Sequence, residues 1–192
     1  VIFFDGSGDE HVCEIVSLTS TEVQYRVRET RSVRPHSGMK LCLAVSLIKK
    51  DNFEWVIQKG TELGVAEFVP LISERSEKKG FNIDRARRIM IEAVEQSGRA
   101  DLPTIAEPVV LDEFLGALDR KAIAFHTDGK KFDRAALPVS GDLVAFIGPE
   151  GGWSDKEVSM FREKGIEVAK LDTPVLRAET AAVAIATLLL AA

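Results

Sequence analysis

The sequence predicts an α/β protein: a mostly parallel sheet carrying helices, preceded by a small antiparallel β unit. From residue 39 onward, near-continuous apolar runs alternate with stretches of helical spacing, the pattern of strands buried on both faces of a parallel sheet. Before that point, residues 1–34 alternate on a period near two, as half-buried antiparallel strands do. Near the C-terminal end, Val144-Ala145-Phe146-Ile147 runs into Gly148-Pro149-Glu150-Gly151-Gly152, and Ser154 with Glu157 then forms a capping box that starts a helix. Strand, glycine loop and capped helix together build ligand sites at the carboxyl ends of parallel strands.

The first unit, residues 1–36, reads as three strands at 1–4, 11–16 and 23–28. Asp5-Gly6-Ser7-Gly8-Asp9 and Leu18-Thr19-Ser20-Thr21 supply the turns. Three strands cannot close a barrel, and the numbering opens on Val1 inside an apolar run, so residues upstream are expected to be missing. Arg26, Arg28, Arg31 and Arg34 form this unit's positive streak, read either as a solvated strand face or as an RNA-contacting edge. Residues 31–38, with Pro35, His36 and Gly38, read as a linker. The second unit spans 39–192. Strands are expected at 40–47, 68–72, 122–126, 143–147 and 167–171. Helices are expected at 52–63, with Gly64 as its C′ residue, at 85–99 with Ile89, Met90, Ala93 and Val94 inward, and at 111–118. Two more follow, one starting at Ser154 and one over 180–192.

At 192 residues, 45% of them apolar, the chain can bury one good core, or one core and a smaller satellite. A formal net charge of −5 speaks against an indiscriminate nucleic-acid coat but leaves room for a local basic face. Cys13 and Cys42 lie far apart in apolar contexts, as small core hydrophobes of a reducing compartment rather than as a disulfide. No Cys-x-x-Cys or His-x-x-x-His spacing occurs, so no metal is expected. The uncharged run at 180–192 is too short to span a bilayer, and no signal peptide is visible. The expectation is a soluble, cytoplasmic, truncated chain.

The glycine loop at 148–152 lacks the Lys-Ser/Thr pair of a P-loop, and no Gly-x-Gly-x-x-Gly follows an early strand. What remains is a loop whose backbone can approach a flat ligand and hydrogen-bond an adenine-like edge; a tight structural turn would read the same way. Pro174-Val175-Leu176-Arg177-Ala178-Glu179-Thr180-Ala181 then places Arg177 and Glu179 at the mouth of an apolar helix. They read either as a salt bridge or cap, or as a fixed guanidinium and its neighbour facing a substrate. The two loops are expected to face each other across one pocket.

Five stretches occur in an order and spacing that resemble one family. They are Asn52-Phe53-Glu54-Trp55-Val56-Ile57-Gln58-Lys59-Gly60-Thr61-Glu62-Leu63-Gly64, Ser73-Glu74-Arg75-Ser76, Glu92-Ala93-Val94-Glu95-Gln96-Ser97-Gly98-Arg99, 147–152 and 175–181. The chain resembles, over nearly its whole length, the ribosomal RNA small-subunit methyltransferase E family. That resemblance implies transfer of a methyl group from S-adenosylmethionine to N3 of one uridine in 16S ribosomal RNA. It implies a SPOUT methyltransferase fold with a C-terminal trefoil knot, preceded by a PUA-like β-barrel whose N-terminal part is absent here. Pattern reasoning would not have proposed a knot.

By the same resemblance the cofactor lies bent in the knot, held by three loops. These fall on Phe125, His126 and Thr127; on Ile147, Gly148, Pro149, Glu150, Gly151 and Gly152; and on Leu171, Pro174, Val175 and Leu176, with Thr180 and Ala181 following. The family's arginine falls on Arg177. Similar enzymes are homodimers that share an RNA site, and their partner is 16S ribosomal RNA or the small subunit. Among the basic residues, Lys49, Lys59, Lys78, Lys79, Arg85 and Arg88 read as solvated surface, whereas Arg75 and Arg99 lie in family-like motifs and are expected to contact RNA. Glu95 and Gln96 are expected beside Arg99 on one helix, and Arg26 and Arg28 on the β unit complete the RNA set.

Methyl transfer from a sulfonium is an in-line displacement that needs no metal, only orientation and desolvation. Uracil N3 carries a proton near neutral pH, so Arg177 is expected to stabilise the uridinate oxygen. Glu179 is read either as the general base or as the residue that orients Arg177. His126 is expected to matter through its backbone, and His11 and His36 are assigned no catalysis. A methyltransferase acting on a different RNA nucleotide, or a non-catalytic RNA-binding member, remain the other readings.

Overall fold

Short polar turns organise the first unit. β1 (Ile2–Phe4), β2 (Asp9–Leu18) and β3 (Val23–Ser32) pair antiparallel in that order. Between β2 and β3 the Thr19 hydroxyl accepts from the Thr21 and Glu22 backbone N–H groups, a turn chemistry that suits Ser and Thr. This computed structural model describes residues 1–33, 38–77, 81–138 and 140–190. Every residue of β3 is exposed, and Ile15, Val16 and Leu18 of β2 also meet solvent. The alternation therefore located the strands without sorting them into a wet and a dry face. Arg31 and Ser32, expected in a linker, are still paired in β3 opposite Glu10 and Asp9, while Arg34, Pro35 and His36 lie outside the described residues.

The second unit runs β4 (Met39–Ser46), α1 (Lys50–Leu63), β5 (Glu67–Ile72), α2 (Ile83–Ser97), β6 (Thr104–Ile105), β7 (Val109–Val110), α3 (Leu111–Gly116) and β8 (Lys121–Lys131). A single 3₁₀ turn at Arg134–Ala136 leads to β9 (Gly141–Ile147), α4 (Asp155–Glu163), β10 (Glu167–Lys170) and α5 (Ala178–Leu190). The strands order as β10-β8-β9-β4-β5-β6, with β7 also beside β5, and every pair is parallel.

Two apolar layers sandwich this sheet. Leu41, Leu43 and Val45 face one layer with Val56, Ile57, Ile185 and Leu189, whereas Cys42 and Ala44 face the other with Trp153 and Phe161. Covering on both sides is why the strands are apolar without interruption. Helix ends follow local rules. α1 stops at Gly64 in the left-handed conformation expected of a C′ residue (φ 99°), and the Asn82 side chain caps α2 by accepting from Arg85 N–H.

Three differences from the sequence reading bear on the site and its surroundings. α2 ends at Ser97 and Gly98 turns left-handed, so Arg99 is not on the helix that carries Glu95 and Gln96. β6 and β7 are two residues each, too short to show any periodicity. β8 continues to Lys131 instead of stopping at His126. It pairs with β10 through Ala124 opposite Val168, and then through Lys130 opposite Ala169. Residues 126–129 leave the ladder between those points. Gly129 is required there: a Cβ would sit 2.4 Å from the Ala169 carbonyl carbon.

Candidate active site

The carboxyl end of β9 delivers the glycine loop, and its neighbours leave it little freedom. Trp153 is fully buried, its indole N–H donates to the Phe125 carbonyl at 3.1 Å, and its ring packs on Phe161. A Cβ at Gly148 would come within 3.2 Å of the Trp153 ring, so even an alanine there would press on the indole. Trp153 thus ties the 148–152 loop to Phe125, the last residue of β8 that pairs with β9, joining two of the three expected cofactor loops. Sequence reasoning assigned Trp153 no role; a tryptophan placed between Gly-Gly and a helix cap was the available signal.

His126 sits half-buried beside Gly152, whose Cβ position lies 3.7 Å from His126 Nε2. Its Nδ1 accepts from the Asp128 backbone N–H at 3.1 Å, so in the neutral ring the proton sits on Nε2, aimed at the glycine loop. The imidazole is therefore placed at the site, beyond the backbone role expected for it. Gly152 closes a turn by donating to the Pro149 carbonyl at 2.8 Å.

α4 begins with the expected capping box: Ser154 Oγ accepts from Glu157 N–H and Glu157 Oε2 accepts from Ser154 N–H. Glu157 Oε1 reaches further and accepts from Glu74 N–H at 2.8 Å, across to the loop after β5. Arg75, from that loop, donates through Nη1 to the Gly151 carbonyl at 2.8 Å.

The third loop is held more lightly. Leu171 and Leu176 are half-buried, Pro174 is exposed, and Val175 is 84% exposed. Thr173 Oγ1 donates to the Pro174 carbonyl, and Lys131 pairs with Asp172 at 2.7 Å. That contact holds the Asp172 carboxyl below its ordinary range and raises the Lys131 ammonium above its own, first through the hydrogen bond and then through charge.

α5 starts where the Arg177 carbonyl accepts from Ala181 N–H. Thr180 is exposed and Ala181 half-buried on its first turns. The Arg177 side chain is exposed and makes no hydrogen bond or ion pair with the described residues. Glu179 lies in the first helical turn, with Oε2 buried and without a hydrogen-bond partner among the described residues. The two do not pair, so the reading of Glu179 as the residue that orients Arg177 finds no contact here.

The expected RNA residues separate. Arg26 and Arg28 are exposed on β3, where Arg28 pairs with Glu14 across the strands. Glu95 and Gln96 are exposed near the end of α2. Arg99 corrects the expectation: it is 7% exposed and donates to the Thr61 and Val65 carbonyls at 2.8 and 2.9 Å. Its remaining donors grip Asp101 at 3.1 and 2.6 Å. The left-handed turn at Gly98 points this side chain inward, into a joint where Ala100 and Asp101 meet Gly8 and Gly6 of the first unit. Lys78 and Lys79 lie outside the described residues.

Cys13 and Cys42 are both free and buried, and burial pushes the Cys42 thiol up, helped by the nearby Glu67. Among the described residues no group of three or more His, Cys, Asp or Glu could hold a metal, and no helix is long and apolar enough to cross a membrane. An open cleft of about 540 Å³ lies beside Asp128, Lys130, Arg162 and Glu167, and none of the expected cofactor residues line it.

Residues 35–190 match the RNA methyltransferase domain family. A ribosomal RNA small subunit methyltransferase E of Aquifex aeolicus is 32% identical, over 95% of this chain and 82% of its own length. The chain belongs to the ribosomal RNA small subunit methyltransferase E family.

Solved structures agree with this family assignment. A methyltransferase of Legionella pneumophila in complex with the bound cofactor SAM matches with a TM-score of 0.89 at 33% identity, over 99% of this chain and 81% of that one. A ribosomal RNA small subunit methyltransferase E of Neisseria gonorrhoeae bound to S-adenosyl methionine gives 0.89 at 28% identity, over 97% and 80%. A SpoU methyltransferase of Streptomyces viridochromogenes, at 14% identity and a TM-score of 0.54 over 82% and 60%, shares the fold alone. This methyltransferase E family member thus shares its α/β fold with that SpoU methyltransferase.

Proposed function

We propose that this chain methylates N3 of a uridine in 16S ribosomal RNA of the small subunit, with S-adenosylmethionine as donor. One observation carries the reading: Trp153 holds the glycine loop after β9 against Phe125, where β8 stops pairing with β9, so that Phe125, His126 and the glycine loop form one wall. Family membership and the SAM-bound relatives support the cofactor.

The residues present fit that cofactor. Gly151 and Gly152 keep side chains off the loop crest, and the partnerless buried oxygen of Glu179 complements a cationic ligand or a proton donor. S-adenosylmethionine, when bound, supplies an electrophilic methyl group on a sulfonium. Phe125, His126, Thr127, residues 147–152, the 171–176 loop, Thr180 and Ala181 would hold it. Arg177, without a partner among the described residues, stabilises negative charge developing on a uracil oxygen. Glu179 accepts the N3 proton, since it has an acceptor to offer and no contact with Arg177.

In this reading residues 1–36 are part of a PUA-like RNA-binding barrel and residues 39–192 the methyltransferase domain, which carries a C-terminal trefoil knot. The enzyme acts as a cytoplasmic homodimer, and the apolar α5 with its exposed Leu188 lies at the dimer contact. Arg26, Arg28, Glu95 and Gln96 face RNA.

Calorimetric titration of S-adenosylmethionine into wild type and Gly151→Val tests the site, and primer extension on treated small subunits tests the product, because a methyl group on N3 blocks Watson–Crick pairing. Expected are micromolar binding lost in Gly151→Val, a new extension stop at one uridine, and a stop that falls about 100-fold in Arg177→Ala with binding kept. A folded wild type that binds no cofactor would overturn the reading.

A further inference from the structure

The loop after β5 supplies Arg75, and its position is set by contacts distant in sequence. Residues 73–76 close on themselves: Ser76 Oγ accepts from Ser73 N–H and donates to the Ser73 carbonyl. Glu77 N–H donates to the Leu47 carbonyl just beyond β4 at 2.8 Å, which fixes the far end of the loop to the sheet. Glu157, 5% exposed, then receives Ser154 N–H on one carboxylate oxygen and Glu74 N–H on the other, both at 2.8 Å. A capping box by itself uses one of those oxygens; here the second joins the base of the glycine loop to the base of the Arg75 loop.

On that platform Arg75 lies across Gly151. A Cβ at Gly151 would come within 3.2 Å of Arg75 Cδ and 3.5 Å of Arg75 Cβ, so the absent side chain makes room for the arginine stem. The guanidinium reaches the Gly151 carbonyl at 2.8 Å. The next peptide N–H, that of Gly152, closes the turn onto Pro149. The turn is thus held from both sides.

We infer that Arg75 is a positioning residue of the cofactor site, holding the crest of the glycine loop through the Gly151 carbonyl on a base fixed by Glu157. This rests on the proposed reading of that loop as a cofactor wall. It departs from the expectation that Arg75 serves RNA phosphates, because one donor and the packed stem already act within the chain. A pre-formed loop binds its ligand without an ordering cost, so loosening it weakens cofactor affinity while the fold persists.

Arg75→Ala and Arg75→Lys test it with three readouts: calorimetric titration of S-adenosylmethionine, amide exchange at Gly152, and salt-dependent binding of a 16S ribosomal RNA fragment. Expected for Arg75→Ala are a Kd for S-adenosylmethionine raised about tenfold, faster Gly152 exchange, and a melting temperature within about 2 °C of wild type. Arg75→Lys restores most of the affinity. Wild-type cofactor affinity and wild-type Gly152 exchange in Arg75→Ala, with RNA binding weakened and its salt slope reduced by about one, would overturn the inference in favour of a phosphate contact. If wild type binds no S-adenosylmethionine, the cofactor reading fails, and Gly152 exchange alone still decides whether Arg75 holds the loop.

Discussion

β3 and β4 follow one another along the chain, and both carry apolar side chains at every second position: Val23, Tyr25 and Val27 in one, Leu41, Leu43 and Val45 in the other. In β4 all three are 1% exposed or less; in β3 all three are between 43% and 53% exposed. Those positions alone do not separate the strands; the residues between them do, Cys42 and Ala44 in β4 against Gln24 and Arg26 in β3. β4 lies at the centre of a sheet covered by α1 and α5 on one face and by the Trp153 and Phe161 layer on the other, whereas no described element covers β3. Burial is a property of what packs on a strand, and the hydrophobic contribution follows that area.

The sharpest way to break this comparison is to truncate one aromatic in each sheet. Phe146 is fully buried between Phe114 and Phe161, with ring centroids 5.8 and 5.0 Å away. Phe146→Ala is expected to cost about 3–5 kcal/mol in urea unfolding. Tyr25→Ala, at an exposed position against Phe3, is expected to cost less than about 1 kcal/mol. Equal losses would mean that the first sheet is covered in solution and that the contrast is not intrinsic to the chain.

The same contrast holds for two arginines. Arg99→Ala takes the guanidinium from the buried Thr61 and Val65 carbonyls and breaks a largely buried ion pair with Asp101, so a loss of about 3 kcal/mol is expected. Arg28→Ala removes an exposed cross-strand pair, and a change below about 1 kcal/mol is expected. Added salt should shrink the small effect and leave the large one. If Arg28→Ala proves as costly as Arg99→Ala, exposure is not what grades these ion pairs.

The smallest expected effect concerns pH. Asp172 is held below its ordinary carboxyl range by Lys131, so the stability from that pair is present above the unfolded value and is lost as pH falls through the lowered one. Both side chains are largely exposed, so the change is slight. Melting curves of wild type and Asp172→Asn should therefore differ marginally at pH 7 and converge toward about pH 3. A gap that widens on acidification would contradict the assigned direction.

Much of the architecture was legible in residue order. The Ser154–Glu157 capping box, the Gly64 stop and the apolar strands β4, β5 and β9 stand as expected, because each depends on neighbours within a turn or on two-sided burial. Helix α2 was misread by one turn residue: Gly98 was included in the helix, and that single left-handed residue moved Arg99 from the RNA set into the interior. Of the site, the glycine loop and Arg177 were visible as motifs. Trp153 reaching Phe125 and Arg75 reaching Gly151 join residues 28 and 76 positions apart, and no local pattern reports such pairs.

The sequence by itself determined the α/β class, the approximate positions of the longer strands and helices, the capped glycine loop and the family. These rest on periodicity, capping and motif spacing, which act over a few residues. Only the tertiary structure decided that β8 re-pairs with β10 beyond residues 126–129, that Arg99 is buried, and that Glu157 holds two loops with one carboxylate. Those outcomes depend on which strands become neighbours in the sheet, and the chain settles that only when distant segments pack.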